Sequence, residues 1–191
     1  MKPIRIIAFA GAAALALGLG TAMAPPSFAK EMTKMVGGAP MYPSKNIVQN
    51  AIHSKDHTTL VAAVKAAGLV KTLESPGPFT VFAPTNAAFE KLPKGTVQTL
   101  LEPENKDKLK SILTYHVVPG RLTTHDLMEK VKDGHGKAML KTAEGDDLTV
   151  EMKDGHLWII DGKGDKARIT VSNVMQSNGV IQVINKVMLP G

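Results

Sequence analysis

Three groups of side chains in this sequence have types and spacings that could do chemistry. The first is the junction Ala83-Pro84-Thr85-Asn86-Ala87, where the strand-like run Phe79 to Ala83 gives way to a helical pattern at Ala87, Ala88, Phe89 and Leu92. A strand-to-helix turn is where a nucleophile elbow presents its hydroxyl. That elbow needs Gly-x-Ser-x-Gly, because glycine alone tolerates the crowding around a strained nucleophile, and no glycine flanks Thr85. Pro84 stiffens the exit from the strand, and Thr85 or Asn86 can accept a hydrogen bond from an orphan N–H in the first turn. The junction therefore reads as a cap that fixes the fold.

The second group is the six histidines. His53 and His57 would share one face of a continuous helix and could grip a metal, but Ser54-Lys55-Asp56 between them reads as a helix break. His125, His135 and His156 sit in cap or glycine-rich loop contexts and read as surface residues, whereas His116 is flanked by Val117 and Val118 and is expected to face inward. The third group holds ligand-like patterns. Met32, Met35 and Met41 offer thioethers of the kind that hold Cu(I), but they have no His or Cys partner nearby. Asp161-Gly162-Lys163-Gly164-Asp165 begins like a calcium loop, yet the positions that should carry an acid, a glycine and a glutamate hold Lys163, Lys166 and Ser172. The absence of cysteine removes thiolate catalysis and Cys-ligated zinc. No catalytic residue, cofactor or metal ligand is assigned, and the chain is expected not to be an enzyme.

These residues must be positioned by an exported domain. Lys2 and Arg5 precede an Ala/Gly/Leu-rich stretch ending in Ser27-Phe28-Ala29, the pattern of a signal peptide cleaved after Ala29. Residues 30–43, with Gly37-Gly38 and Pro40, read as a flexible leader, and 44–191 as one domain large enough to stand without disulfides. The net charge of +6 includes Lys2 and Arg5. The remaining lysines alternate with acids, as in Glu102 to Lys110, and aromatics are few, which leaves no phosphate-tracking groove or stacking platform for nucleic acid. No later segment is long and apolar enough to insert in a membrane after signal cleavage.

Helical periods dominate the first half: Ser44 as cap for a helix with Ile47, Val48, Ala51 and Ile52 inward, a second helix stopped by Gly68, and a longer one from about Asn105 to Tyr115. "VVPG" (117–120) reads as a turn, and Thr124 as the cap of a short helix. In the C-terminal third, short strand-like runs are separated by Asp154-Gly155, Asp161-Gly162 and Asn178-Gly179, which are hairpin signals. Helices followed by antiparallel strands predict an α+β domain, with the strand at Phe79 joining the later sheet.

Three ordered segments, "FTVFAPTNAAFEKLP" (79–93), "ILTYHVVPG" (112–120) and "SNGVIQVINKVMLP" (177–190), resemble the two conserved blocks and the Tyr-His motif of the fasciclin domain. The chain is also similar to the secreted mycobacterial antigens of that family. The resemblance implies a β-wedge flanked by helices, with the two blocks as neighbouring central strands. Its structural motif residues map to Thr85, Asn86, Tyr115, His116, Asn178 and Gly179. Asn86 stands where the family more often has Asp. The Asp-Ile pair implicated in integrin binding in some animal members corresponds to Asn173 and Val174, the candidate partner contacts here, without the carboxylate. The function implied is a secreted or periplasmic adhesion module that contacts a cell-surface or matrix protein or polysaccharide. The alternative is a small-ligand or metal carrier, or a hydrolase with an unfamiliar site near His116.

Overall fold

The computed structural model describes residues 33–191. The expected signal peptide and its cleavage site lie outside them, as do the first residues of the expected leader.

The rest of the leader is not a tail. Strands β1 (Lys34–Val36) and β2 (Ala39–Met41) form an antiparallel hairpin, with Val36, Ala39 and Met41 buried in the core. Gly37 and Gly38, read from sequence as part of a flexible leader, are its two-residue turn. Both have positive φ, 58° and 75°, the backbone that lets a tight turn match the twist of its strands. Three-residue strands are too short to show a period, so the sequence signal was only the glycine pair.

Helix α1 (Ile47–Ala51) is capped by Asn46, not Ser44. Asn46 Oδ1 accepts from the Gln49 N–H at 2.8 Å while Gln49 Oε1 accepts from the Asn46 N–H at 3.0 Å, a reciprocal capping box. Helix α2 (Thr58–Ala66) ends before Gly68, which has the expected left-handed φ of 72°, and α3 (Val70–Glu74) follows. Next come β3 (Phe79–Pro84), α4 (Asn86–Phe89), α5 (Thr96–Leu101) and α6 (Lys106–Tyr115). "VVPG" contributes a strand, β4 (Val117–Pro119), before its turn. Thr123 rather than Thr124 caps α7 (Thr124–Asp133), again in a capping box, with Asp126.

The remaining strands are β5 (Lys137–Lys141), β6 (Asp147–Lys153), β7 (His156–Ile160), β8 (Lys166–Gln176) and β9 (Gly179–Ile184). One seven-stranded sheet runs in the order β4-β3-β9-β8-β7-β6-β5. The antiparallel ladder expected for the C-terminal third is present from β5 to β9, and β3 enters it by a parallel pairing with β9. The two recognised blocks are thus neighbouring central strands.

Alternation of side chains along β3 and β9 divides the interior into two cores. Val81, Ala83, Ile181 and Val183 face helices α1 to α6. Phe82 and Ile184 face the other way, onto Leu127 and Val131 of α7 and the inward residues of β5 to β7. The outward residues of β5 to β8 form a sheet face that carries no helix among the described residues.

Candidate functional site

The junction that opens the question of chemistry is spent on structure. Thr85 caps α4 by accepting from the Ala88 N–H at 3.3 Å. Asn86 bridges to the start of α2: its Oδ1 accepts from the Thr59 N–H at 3.0 Å, and its Nδ2 donates to the Lys55 carbonyl at 2.9 Å and to Thr58 Oγ1 at 3.0 Å. An Asp here would lose both donated bonds, so the departure from the family's usual residue is accommodated by a local network that needs an amide.

At the end of α6, Tyr115 and His116 look in different directions and are both fully enclosed. The Tyr115 hydroxyl donates to the Asp147 carbonyl and accepts from the Gly162 N–H, both at 2.9 Å, which ties α6 to the start of β6 and to the loop after β7. The His116 ring is held at both nitrogens: Nδ1–H donates to the Ile112 carbonyl at 2.7 Å, and Nε2 accepts from the Met188 N–H at 3.0 Å. This pairing fixes a neutral tautomer. Burial pushes its pKa down to about 4, outweighing the Ile112 carbonyl and the distant Asp161 charge, which favour the proton.

A pH dependence follows. The unfolded chain takes up this proton near pH 6.5, whereas the native state resists until about pH 4. The His116 contribution is therefore complete above pH 6.5 and is lost as pH falls towards 4, at about 1.4 kcal/mol per unit and about 3 kcal/mol in all. His57, buried and also lowered by desolvation, adds in the same sense. Denaturant titrations at pH 7, 5.5 and 4.5 should show this decline, and His116→Gln should start less stable but fall more gently. An equal slope in that variant would remove His116 from the account.

Asn178 and Gly179 occupy the β8–β9 turn. Asn178 is buried, and its side chain makes three bonds to backbone: Oδ1 accepts from the Ile47 N–H at 3.0 Å, and Nδ2 donates to the carbonyls of Leu73 and Ser75, both at 2.8 Å. Gly179 lies against Phe79 in the parallel ladder. The hairpin signal found the turn, but the amide's long-range role has no local signature.

Asn173 and Val174 sit at an irregularity in β8, where Asn173 has a φ of 53°. Asn173 Oδ1 accepts from the Thr124 N–H at 2.8 Å, and its Nδ2 donates to Thr124 Oγ1 at 2.8 Å. Gln182 holds it from beneath, accepting from the Asn173 N–H at 2.9 Å and donating to the Leu122 carbonyl at 3.0 Å. Val174 is 1% exposed and belongs to the core. Of this pair, Asn173 is the one with accessible surface.

Asp161, at the head of the calcium-like sequence, is consumed internally. One carboxylate oxygen accepts from the N–H groups of Lys163 and Asp165, and the other from that of Leu189. Ser54 separates His53 from His57 as expected, and its hydroxyl pairs with His57 Nδ1 at 2.8 Å. Among Thr85, Asn86, Tyr115, His116 and Asn178, no side chain hydrogen-bonds another. Each is a separate tie between elements.

The Fasciclin domain model matches residues 55–190, and this chain belongs to that family. It is 45% identical to Protein sll1483 of Synechocystis sp. over 97% of this chain and 96% of that one. It is 34% identical to the immunogenic protein MPB70 of Mycobacterium bovis over 73% of this chain and 66% of that one. Its fold matches a FAS1 domain pair from the insect cell adhesion molecule fasciclin I with a TM-score of 0.70 at 21% identity, over 78% of this chain and 52% of that structure. The expected family and its α+β wedge are thereby established, including the likeness to the mycobacterial proteins.

Proposed function

We propose that the protein is an exported, non-enzymatic attachment module that binds a cell-surface or matrix protein or polysaccharide through the outside of its sheet. The observation that carries this reading is the complete internal use of the motif side chains. The side chains of Thr85, Asn86, Tyr115, His116 and Asn178 are bonded within the protein, mostly to its backbone, which leaves function to the surface. The structural neighbour named as an insect cell adhesion molecule supports the same reading, and among the described residues no helix is long and apolar enough to cross a membrane.

The outward face of β5 to β8 is the surface best suited to contact. Register aligns Met139, Thr149, Ile160 and Lys166 in one row and Lys137, Glu151, Trp158 and Arg168 in the next. Met139 is 70% exposed, and Trp158 and Ile160 are partly exposed. Glu151 is matched by Lys166 at 2.6 Å, while Lys137, Lys153 and Arg168 form no ion pair among the described residues, so the face carries surplus positive charge around an apolar centre. One such domain binds weakly, and clustering raises avidity by about 100-fold or more.

The test is capture of envelope polysaccharide and matrix protein on beads bearing many copies of the domain. Binding should fall at least about tenfold when Lys137 and Arg168 are both changed to Glu, a loss on the order of two exposed charge contacts. Beads that capture nothing, or that capture equally after the double change, would refute the proposed face.

A further inference from the structure

The charge on the outward sheet face is more than the fold itself uses. Side chains that look away from α7 across β5 to β8 include five cations, Lys137, Lys141, Lys153, Lys166 and Arg168, against two carboxylates, Asp147 and Glu151. Asp147 is matched by Lys141 at 3.5 Å, and Glu151 by Lys166, whose ammonium reaches across β7 to it at 2.6 Å. The Lys166 hydrogen bond, with Lys137 and Lys153 adding their charge, holds the Glu151 carboxyl below the usual carboxylate range. Both acids are thus occupied, and positive charge remains. Lysines on an edge strand discourage edge-to-edge pairing, which accounts for Lys137 and Lys141 on β5. It does not account for Lys153 on β6 or Arg168 on β8, which are interior strands.

The centre of the same face is aromatic. Trp158, the one tryptophan of the chain, stands in a row with Arg168 on the adjacent strand and Lys137 two strands away on the other side. Its indole nitrogen is covered, so the part of this half-buried ring that reaches solvent is carbon. At about 4.8 Å between strands and about 3.4 Å per residue, the four strands offer a patch of about 14 Å by 20 Å. That footprint separates the possible partners. A protein in a stable complex covers roughly 800 Å² on each side, more than this patch presents. A bilayer takes up side chains that protrude, and on this face only Met139 is both apolar and mostly exposed. A polysaccharide is narrow, lies along a row, and carries ring C–H faces for Trp158 and anionic substituents for the cations.

We propose, resting on the attachment reading above, that this face binds an acidic polysaccharide whose rings each carry a carboxylate, with one ring seated on Trp158 and neighbouring carboxylates held by Arg168 on one side and Lys137 on the other. Arg168 can grip a planar carboxylate through two parallel N–H bonds, a geometry that lysine lacks. Lys137, Lys153 and Arg168, the cations without an ion pair among the described residues, surround a single aromatic ring and so match a polymer with one charge per sugar. A heavily sulfated chain carries its charges more densely and would meet too few partners here. Each exposed charge contact is weak and screened by salt. Retention therefore depends on several repeats of the polymer engaging several domains.

Trp158 is itself the reporter, because no other indole contributes to the emission. The purified protein is titrated with polygalacturonate, with the same polymer fully methyl-esterified, with heparin and with phosphatidylglycerol vesicles. Polygalacturonate should shift the emission saturably and bind at least about tenfold tighter than each of the other three, with its advantage over the neutral ester shrinking as salt is raised. Lys137→Gln combined with Arg168→Gln should weaken polygalacturonate at least about tenfold with the melting temperature unchanged, since both side chains project from the sheet. Trp158→Thr, followed by co-sedimentation, should weaken it at least about threefold through loss of the aromatic seat. Equal affinity for the esterified polymer, tighter binding of heparin or of vesicles, or polygalacturonate binding that survives the double change would overturn the proposal. Capture of a matrix protein that depends on Lys137 and Arg168, with polygalacturonate leaving Trp158 unmoved, would overturn the acidic polysaccharide and leave attachment standing. No capture of any kind would remove both.

Discussion

Gly179→Ala should abolish or nearly abolish folding. A Cβ built on Gly179 would sit 2.0 Å from the Phe79 carbonyl oxygen and 2.9 Å from its carbon, both backbone atoms of the neighbouring strand. The glycine is not needed here for a left-handed φ; it is needed because two backbones approach too closely for any side chain. Relief would require β9 to move away from β3, and these are the central strands of the sheet, in register from Phe79↔Gly179 to Pro84↔Ile184 with packed cores on both faces. The penalty should exceed about 4 kcal/mol, a large fraction of the roughly 5–15 kcal/mol that holds a domain together. Urea unfolding should show a lost or severely shifted transition, and melting should fall by about 10 °C or more. Gly38→Ala supplies the contrast, since no atom lies within 4 Å of its Cβ and only the positive φ is strained; it should cost about 1 kcal/mol. A Gly179→Ala protein that unfolds at the same urea concentration as the unaltered chain would mean that the two strands are less closely apposed than described.

The contrast between these glycines shows what was legible in the sequence. Gly68 and the Asx-Gly turns announced themselves, because a chain reversal between periodic segments needs local residues and leaves a local mark. Gly37-Gly38 was visible but misread. The strands it joins hold three residues each, and their burial depends on a core assembled from distant segments. The parallel β3–β9 pairing joins residues about a hundred positions apart, so no local pattern specified it; the ordered blocks shared with the family did. At the candidate site, the cap at Thr85 and the enclosure of His116 followed from residue type and neighbours. The remaining polar ties did not. Asn86, Asn178 and Gln182 reach backbone groups brought close only by the finished fold, and in sequence each looks like an ordinary amide near a turn.

Asn178→Ala should be the most damaging side-chain truncation at a polar position, and the reason lies in what it leaves behind. Three backbone groups from two separate segments, the Ile47 N–H at the start of α1 and the carbonyls of Leu73 and Ser75 at the C-terminal end of α3, depend on this one amide. Removing it strands them in a region where Asn178 itself is 5% exposed, and each buried unsatisfied group costs about 1–3 kcal/mol. A total loss of about 4 kcal/mol is expected, with α1 and α3 loosening from β9 before the rest of the sheet opens. Hydrogen exchange should therefore accelerate first at Ile47 and in α3. Asn178→Asp separates the amide's chemistry from its shape. The carboxylate can still accept from Ile47, but it turns its second oxygen towards two carbonyl acceptors, so at pH 7 it should destabilise about as much as the alanine. Protonation restores a donor that can satisfy one of those carbonyls, and burial among acceptors raises the pKa of such a group. With its native pKa above the unfolded value near 4, the stability of Asn178→Asp relative to Asn178→Ala should grow as pH falls from 7 towards 4 and vanish as pH rises. Two variants with parallel stability curves across that range would show that the turn depends on the volume of residue 178 and not on its two donated hydrogens.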